Sequence, residues 1–364
     1  MSKLEEAIQE FCQNGVIYKE LKEILTIKNG SDYKHLGTGN IPVYGSGGIM
    51  TYVDHYAYDK PSVLIPRKGS VDKLYYVEEP FWNVDTIFYT DIDIGQAIPK
   101  YVYYCLQMEH LEQYNTAGGV PSLTQAVLNK VKIPVPPLPV QREIVRILDN
   151  FTELTAELTA ELTARKKQYE YYRDKLLDNT NSPMKTIANL CHVFAGGDAP
   201  KDAISNEKTD KYYIPIISNG IGENAFYGYT TTAKITNPAV TIAARGTIGY
   251  AEYRDYPYFP IVRLLSAIPK DFKELNTKYL YYCLQDKSYK VPISGIQQLT
   301  APEIKKVSIY VPPLEEQERI VAILDRFDTL CNDITSGLPA EIEARQKQYE
   351  YYRDKLLTFK EKTS

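Results

Sequence analysis

Two stretches of the chain carry apolar residues that lie mostly three or four positions apart, the spacing of one face of an α-helix. The first covers 140–177, and the second covers about 315–360. A helix over the first stretch would be about 57 Å long. The VPPLP segment before it sets a boundary, because proline lacks an amide donor. In the second stretch, Gly337 can close one helix and Pro339 can start the next, which predicts a break there.

Outside these stretches the pattern changes to short β-branched and aromatic runs separated by Gly, Pro and Asn. An example is PSVLIPRKGSVDKLYYV at 61–77. Such runs predict short strands and turns. The segments PKYVYYCLQ (99–107) and TKYLYYCLQ (277–285) each predict a helix. Each globular part is therefore expected to be an α+β domain.

The sequence contains an internal repeat, so that its two halves resemble each other. Residues 165–177 read RKKQYEYYRDKLL and residues 345–357 read RQKQYEYYRDKLL, so that one position differs. The stretches 30–100 and 196–275, in contrast, share only a skeleton. Two copies of one scaffold thus carry two different variable surfaces. The alternative is a duplication without functional meaning, as in a symmetric structural protein.

A tandem repeat interrupts the first helical stretch. Residues 152–165 read TELTAELTAELTAR, which places Leu154, Leu158 and Leu162 four positions apart on one helical face. Each tetrapeptide adds about 6 Å of helix. The repeat is interpreted as a helical spacer, and further as a ruler that sets a distance.

The length and the composition are typical of a globular protein with two or three domains. The chain has 364 residues and a net charge of −4, which argues mildly against nucleic-acid binding without excluding it. Tyrosine is the outlier, with 32 copies against 10 Phe and one Trp. No apolar run reaches the roughly 20 residues of a membrane span, and the start lacks a signal-peptide pattern. The five scattered cysteines indicate neither a zinc site nor a disulfide framework, and they favour the reducing cytoplasm.

Catalytic motifs are missing from the sequence. No phosphate-binding loop, dinucleotide fingerprint, HExxH or GxSxG motif occurs. The acid pairs Glu78–Glu79 and Asp91–Asp93 are more typical of solvated surface than of a metal site. The glycine cluster at 45–48 favours a tight turn over a phosphate cradle. What remains is a binding surface.

Two basic turns occupy matching places in the halves, RKGS at 67–70 and ARGT at 244–247. Glycine lets a backbone approach a partner closely, and a flanking Arg or Lys can pair with phosphate or with the major-groove edge of guanine. Hairpin turns whose basic residues face water are an equally weighted alternative. The candidate DNA-binding residues of the two turns are Arg67, Lys68, Ser70, Lys73, Arg245, Thr247 and Tyr250.

Each half ends in VPPLxxQxxIVxILDxF followed by RxKQYEYYRDKLL, and this double pattern resembles the specificity subunit of Type I restriction-modification systems. The resemblance implies two target-recognition domains joined by two long antiparallel helices that form a coiled-coil spacer. It also implies binding of an asymmetric bipartite site in double-stranded DNA. Two modification (methyltransferase) subunits and the restriction subunits would be the partners, with no membrane involved. The chain itself would have no catalytic site, cofactor or metal, because S-adenosylmethionine and ATP with Mg²⁺ would be bound by the partners.

The resemblance also implies domain bounds. Residues 1–15 would form an N-terminal helix, and Leu4–Phe11 would pack beside the C-terminal helix. The recognition domains would cover 16–137 and 179–313. The two spacer and docking helices would fall within 138–178 and 314–364.

The tyrosine-rich helix ends are predicted to form the helix seam and to dock the partners. Spacings of three and four place several of these residues on one face, while Tyr171 and Tyr351 point elsewhere and would be exposed without a partner. The residues assigned to the seam and to docking are Tyr169, Tyr171, Tyr172, Leu176, Tyr349, Tyr351, Tyr352 and Leu356.

Two other classes of protein are weighed against this interpretation. One is an enzyme, a nuclease or methyltransferase fused to its reader, which the missing motifs oppose. The other is a coiled-coil interaction protein that never touches DNA, which the basic turns and the divergent halves oppose.

Overall fold

The computed structural model divides into two compact units. The first unit comprises 1–159 and 341–364, and the second comprises 160–340. The structure describes residues 3–115, 122–200, 203–285, 287–289, 297–333 and 335–362.

The first unit is a mixed α/β unit. Its helices are α1 (Lys3–Phe11), α2 (Pro99–Met108) and α3 (Gln125–Leu128), with 3-10 turns at Leu21–Glu23 and Leu111–Tyr114. Its strands are β1 (Tyr18–Glu20), β2 (Leu25–Asn29), β3 (Thr38–Gly45), β4 (Gly48–Val53), β5 (Ser62–Pro66), β6 (Tyr75–Val77), β7 (Trp82–Asn83), β8 (Ile87–Ile92) and β9 (Lys132–Pro134).

The second unit has the same kinds of element. Its short helices are α5 (Ile187–Leu190), α6 (Thr277–Leu284) and α7 (Ala301–Lys305), with a 3-10 turn at Gly222–Ala225. Its strands are β10 (Met184–Thr186), β11 (Cys191–Ala195), β12 (Ile214–Ile217), β13 (Phe226–Thr230), β14 (Ala239–Ile242), β15 (Ala251–Arg254), β16 (Phe259–Pro260), β17 (Leu265–Pro269) and β18 (Ser308–Tyr310).

The sheets repeat strand for strand. In the first unit the strand orders are β2-β8-β5-β6, β4-β3-β7 and β1-β9. In the second they are β11-β17-β14-β15, β13-β12-β16 and β10-β18. In both three-stranded sheets the central strand pairs antiparallel on one side and parallel on the other. The stretches 30–100 and 196–275, whose sequences differ strongly, therefore have the same strand topology.

Long helices complete both units. Helix α4 (Leu138–Leu177) has 40 residues and begins directly after two prolines. The C-terminal segment forms α8 (Leu314–Asn332) and α9 (Leu338–Leu357), so the predicted break is present. Gly337 does not take the left-handed conformation of a helix-capping glycine. It is needed because a Cβ there would lie 2.4 Å from the carbonyl oxygen of Thr329.

The long helices run in opposite directions. In the first unit Phe151 of α4 stacks on Tyr352 of α9, with ring centroids 5.4 Å apart. In the second unit Tyr172 of α4 stacks on Phe327 of α8 at 6.1 Å. The contact of the earlier α4 residue is with the later residue of the C-terminal segment, and the contact of the later α4 residue is with the earlier one. This is the antiparallel order that the fold class predicts.

Each unit has its own core. Leu4, Ala7 and Ile8 of α1 pack in the first core, which also holds Leu356 of α9, as expected for the N-terminal helix. Tyr101 of α2 is fully buried and donates to the carbonyl oxygen of Pro134 at 3.1 Å. The fold class is thus confirmed as two repeated α+β units with two long helical segments. Among the described residues, no helix is both long and apolar enough to cross a membrane.

Candidate nucleic-acid interface and docking surfaces

The two basic turns share a left-handed glycine and one main-chain hydrogen bond. Gly69 and Gly246 take left-handed φ angles of 79° and 69°, which glycine adopts without the strain of a Cβ. Each turn follows an inner strand of its four-stranded sheet, β5 or β14. The amide of Leu123 donates to the carbonyl oxygen of Arg67 at 2.9 Å. In the second turn the amide of Leu299 donates to the carbonyl oxygen of Ala244, also at 2.9 Å. Two equivalent tips are therefore held by the same main-chain contact.

In the first tip Lys68 is exposed. Its backbone forms a bridge with that of Ser122, and its side chain has no hydrogen-bond or ion-pair partner within the described ranges. Arg67 turns back over the ring of Phe88, with 5.4 Å from its guanidinium carbon to the centroid. Its Nε atom is buried without a hydrogen-bond partner. Lys68 thus offers a free charge, while Arg67 is partly a packing residue.

The second tip places its cation differently. Arg245 is half-buried, and both its Nε and Nη2 atoms donate to Oε1 of Gln298, at 3.1 and 2.7 Å. Thr247 has a buried hydroxyl with no hydrogen-bond partner. The amide of Ala244 donates to Oδ1 of Asn219 at 2.7 Å, which fixes the start of the tip.

The other candidate DNA-binding residues lie in the same two turns. Lys73 is exposed and its amide donates to the carbonyl oxygen of Ser70 at 3.1 Å. The amide of Tyr250 donates to the carbonyl oxygen of Thr247 at 3.0 Å. Burial raises the pKa of the Tyr250 phenol. The structure thus gathers the seven candidates into two tips, one in each unit.

The sequence interpretation missed Gln298. This residue lies 53 positions from Arg245, and the equivalent position in the first half is Ser122. The only available signal was the alignment of QQLT with PSLT, which shows a side chain that differs between two related loops.

The predicted docking residues fall into four environments that repeat in both units. Tyr169 and Tyr349 face inward, and their hydroxyls donate to Gln285 and Gln107 at 3.1 and 3.2 Å. Tyr172 and Tyr352 make the stacked contacts between long helices. Leu176 and Leu356 are half-buried in the same two cores.

Tyr171 and Tyr351 are the exposed members of this set. Both have 61% of their surface accessible, and Lys175 and Lys355 lie 5.9 and 6.0 Å from their ring centroids. These two tyrosines were expected to point away from the seam, and they do.

The tandem repeat is helical throughout. Leu154, Leu158 and Leu162 are half-buried, as one apolar face requires. The hydroxyls of Thr155 and Thr159 donate to the carbonyl oxygens four residues earlier, at 2.9 and 2.8 Å. Both hydroxyls therefore find an acceptor within the helix itself.

Other candidate motifs have structural explanations. The glycine cluster forms the tight turn between β3 and β4. Asp91 accepts hydrogen bonds from Lys28 and Tyr58, and Asp93 from the amide of Gly95. No group of three or more metal-ligating side chains occurs within the part of the chain that the structure describes. All five cysteines are buried free thiols.

Comparison with known proteins gives a family match across both halves. Residues 14–165 and 179–344 match the Type I restriction modification DNA specificity domain. The two matched segments correspond to the two copies of the repeat.

Individual relatives cover between about three quarters and nearly all of the chain. A Haemophilus influenzae protein assigned as a type I restriction enzyme specificity subunit is 35% identical over 94% of this chain and 96% of its own length. The Escherichia coli type I restriction enzyme EcoR124I/EcoR124II specificity subunit is 35% identical over 74% of this chain and 73% of its own length. A crystal structure of the type I system S subunit from M. genitalium has a TM-score of 0.63 at 16% identity, covering 95% of this chain and 97% of that one.

Proposed function

The chain belongs to the Type I restriction-modification DNA specificity family, a family of non-catalytic subunits that confer DNA sequence specificity, and from that premise we propose how it reads its site. Each unit binds one half-site of a bipartite target in double-stranded DNA, through the tip that carries Lys68 or Arg245. The two half-sites differ because the two tips differ.

The difference between the tips is the observation that carries this proposal. The tip of the first unit presents the free ammonium group of Lys68. The equivalent tip of the second unit presents the guanidinium of Arg245, which the side-chain amide of Gln298 holds in place. Lysine acts as a mobile point charge, whereas the planar arginine fork can match O6 and N7 of guanine. Lys68 therefore contacts phosphate, and Arg245 reads a base.

Ser70, Lys73, Thr247 and Tyr250 supply further contacts beside these cations. The hydroxyl of Thr247 is buried without a partner, which is costly in the free protein, and it gains a partner at the DNA if the turn shifts on binding. Arg67 supports the first tip through its contact with Phe88.

The long helices connect reading to modification. Two methyltransferase subunits dock on the helix ends around Tyr171 and Tyr351, and the restriction subunits join that core. The helical repeat around Leu158 sets the distance between half-sites. S-adenosylmethionine and ATP with Mg²⁺ are bound by those partners, which also flip the target base for methylation.

The test is a map of methylated positions in cells that express this chain with its methyltransferase subunit. Arg245→Ala should relax one base position of one half-site, at a cost of roughly 1–3 kcal/mol in binding. Lys68→Ala should weaken binding to all sequences alike and reduce the salt slope by about one unit.

If affinity, salt slope and methylation pattern are unchanged in both variants, the two tips are ordinary solvated turns that do not contact DNA. Methyl transfer or DNA cleavage by the purified chain alone would instead favour the fused-enzyme alternative.

A further inference from the structure

The contact between Arg245 and Gln298 has a consequence for which edge of the arginine can reach DNA. A guanidinium has five N–H donors in a plane. The single acceptor Oε1 of Gln298 takes one from Nε and one from Nη2. Three donors remain, two on Nη1 and one on Nη2.

The remaining donors form one usable fork. A guanidinium can approach two acceptors either along its Nε–Nη2 side or along its Nη1–Nη2 end. Gln298 occupies the side. The end still presents two parallel N–H groups, and these have the spacing that matches O6 and N7 of guanine.

The surroundings of the tip leave room for such a partner. A Cβ placed on Gly246 would meet no atom within 4 Å, so the turn borders open space. Beside it, the hydroxyl of Thr247 is buried without a partner. The second tip thus combines one restrained donor fork with one unsatisfied polar group.

The first unit lacks this restraint. Its equivalent pair is Lys68 and Ser122, which meet through a backbone bridge. A serine side chain is too short to hold the end of a lysine. The same frame therefore produces an oriented cation in one unit and an unoriented cation in the other.

We infer that Gln298 is a positioning residue that turns Arg245 end-on toward a guanine in the second half-site. This inference rests on the proposed function, since it requires that Arg245 contacts DNA. Gln298 itself need not touch the base. By fixing the plane of the guanidinium before binding, it removes conformations in which the fork points away from the groove.

The experiment compares methylation at cognate sites with methylation at single-mismatch sites, using the chain assembled with its methyltransferase subunit. Gln298→Met keeps the side-chain volume and removes the acceptor. We expect the ratio of cognate to mismatch methylation at one guanine position of the second half-site to fall by at least about 5-fold. The largest expected fall is about 150-fold, which is the full discrimination of a bidentate pair. Gln298→Glu keeps the acceptor and should retain the base preference.

Two controls separate positioning from simple structural support. Ser122→Ala, at the equivalent position, should leave the first half-site unchanged. Gln298→Met combined with Arg245→Ala should relax the same position no further than Arg245→Ala alone, because both changes remove one interaction.

The outcomes distinguish this inference from the proposal beneath it. If Arg245→Ala leaves the base preference unchanged, the proposed contact of Arg245 with DNA is wrong. If Arg245→Ala relaxes the position but Gln298→Met lowers all methylation uniformly, Gln298 only supports the fold and the positioning role is refuted.

Discussion

At the scale of single residues, a buried glutamine lies near the start of each of α4 and α8. Gln141 is fully buried, donates through Nε2 to the carbonyl oxygens of Gln96 and Pro136, and accepts from the amide of Ile98. Gln317 makes the same three contacts in the second unit. Every polar atom of these side chains is thereby satisfied, and the helix start is joined to the loop before α2 or α6.

Replacement of Gln317 by leucine should destabilise the second unit. Leucine fills a similar volume but leaves one amide and two carbonyl groups without partners at a buried or partly buried site, at a cost of about 2–4 kcal/mol in the free energy of unfolding. Chemical denaturation measures the change, and Gln141→Leu should give a loss of similar size. A loss below about 0.5 kcal/mol in both variants would mean that water reaches these groups.

Asp333, at the break between α8 and α9, is expected to make stability depend on pH. Hydrogen bonds from Ser336 and Thr335 lower the pKa of its carboxyl to about 2. Because this pKa lies below the value of about 3.9 in an unfolded chain, the charged form stabilises the fold above that value, and the contribution is lost as pH falls toward 2. The difference in unfolding free energy between the native chain and Asp333→Asn should thus shrink from about pH 5 to about pH 2. A difference that stays constant over this range would exclude the charge as its source.

The residues of the tips could be predicted from the sequence only in part. The matching RKGS and ARGT motifs located both turns, because glycine and basic residues at equivalent places are visible in an alignment of the halves. The partner of Arg245 was not visible, because Gln298 lies on a distant loop that only the folded chain brings near.

At the scale of elements, the repeat in α4 provides a direct test of spacing. Insertion of one TAEL unit after Thr159 should lengthen the helix by about 6 Å and rotate the residues beyond the insertion by about 40°. Since a base-pair step rises about 3.4 Å, the same two half-sites should be methylated with one or two more base pairs between them. Methylome sequencing of a strain that carries only this variant measures the gap.

A variant of unchanged length is the matched control for that insertion. Thr155→Ala with Thr159→Ala removes two hydroxyls that donate to carbonyl oxygens of α4 itself, and the gap should stay as it is. If the insertion also leaves the gap unchanged, other contacts position the two tips. A changed half-site sequence would instead place the helix on the reading surface.

The elements themselves were largely predictable. Periodicity located α4, because apolar spacing of three and four survives in a single sequence, and the segments that form α2 and α6 were also predicted as helices. The break before α9 was also predicted, but its cause was different. Gly337 is required by the close carbonyl oxygen of Thr329 and not by a left-handed conformation. Strand order could not be derived, since pairing between β3 and β7 depends on contacts far apart in sequence.

At the scale of the whole molecule, the exposed tyrosines predict where assembly fails. Tyr171→Glu with Tyr351→Glu places charges on two side chains that are 61% exposed, so the fold should remain intact. Binding of the methyltransferase subunits should be impaired, because a buried carboxylate at an interface is costly unless it is paired. Analytical ultracentrifugation of the mixed subunits measures complex formation.

The conservative pair Tyr171→Phe with Tyr351→Phe retains both rings and should assemble as the native chain does. A Glu double variant that still forms the complex at full strength would show that the partners dock elsewhere on the helices.

The main-chain bonds that hold the two tips also bear on how new specificities arise. The carbonyl oxygens of Arg67 and Ala244 anchor the turns through Leu123 and Leu299, and neither bond involves the side chain that faces outward. Under the proposed function, a substitution at Arg245 therefore changes the base that is recognised, and one at Lys68 changes the affinity for DNA, while these main-chain bonds stay in place. Under the proposed function such a frame is evolvable, because one half of the target can change through substitutions at a tip while the main-chain bonds that hold the tip are kept.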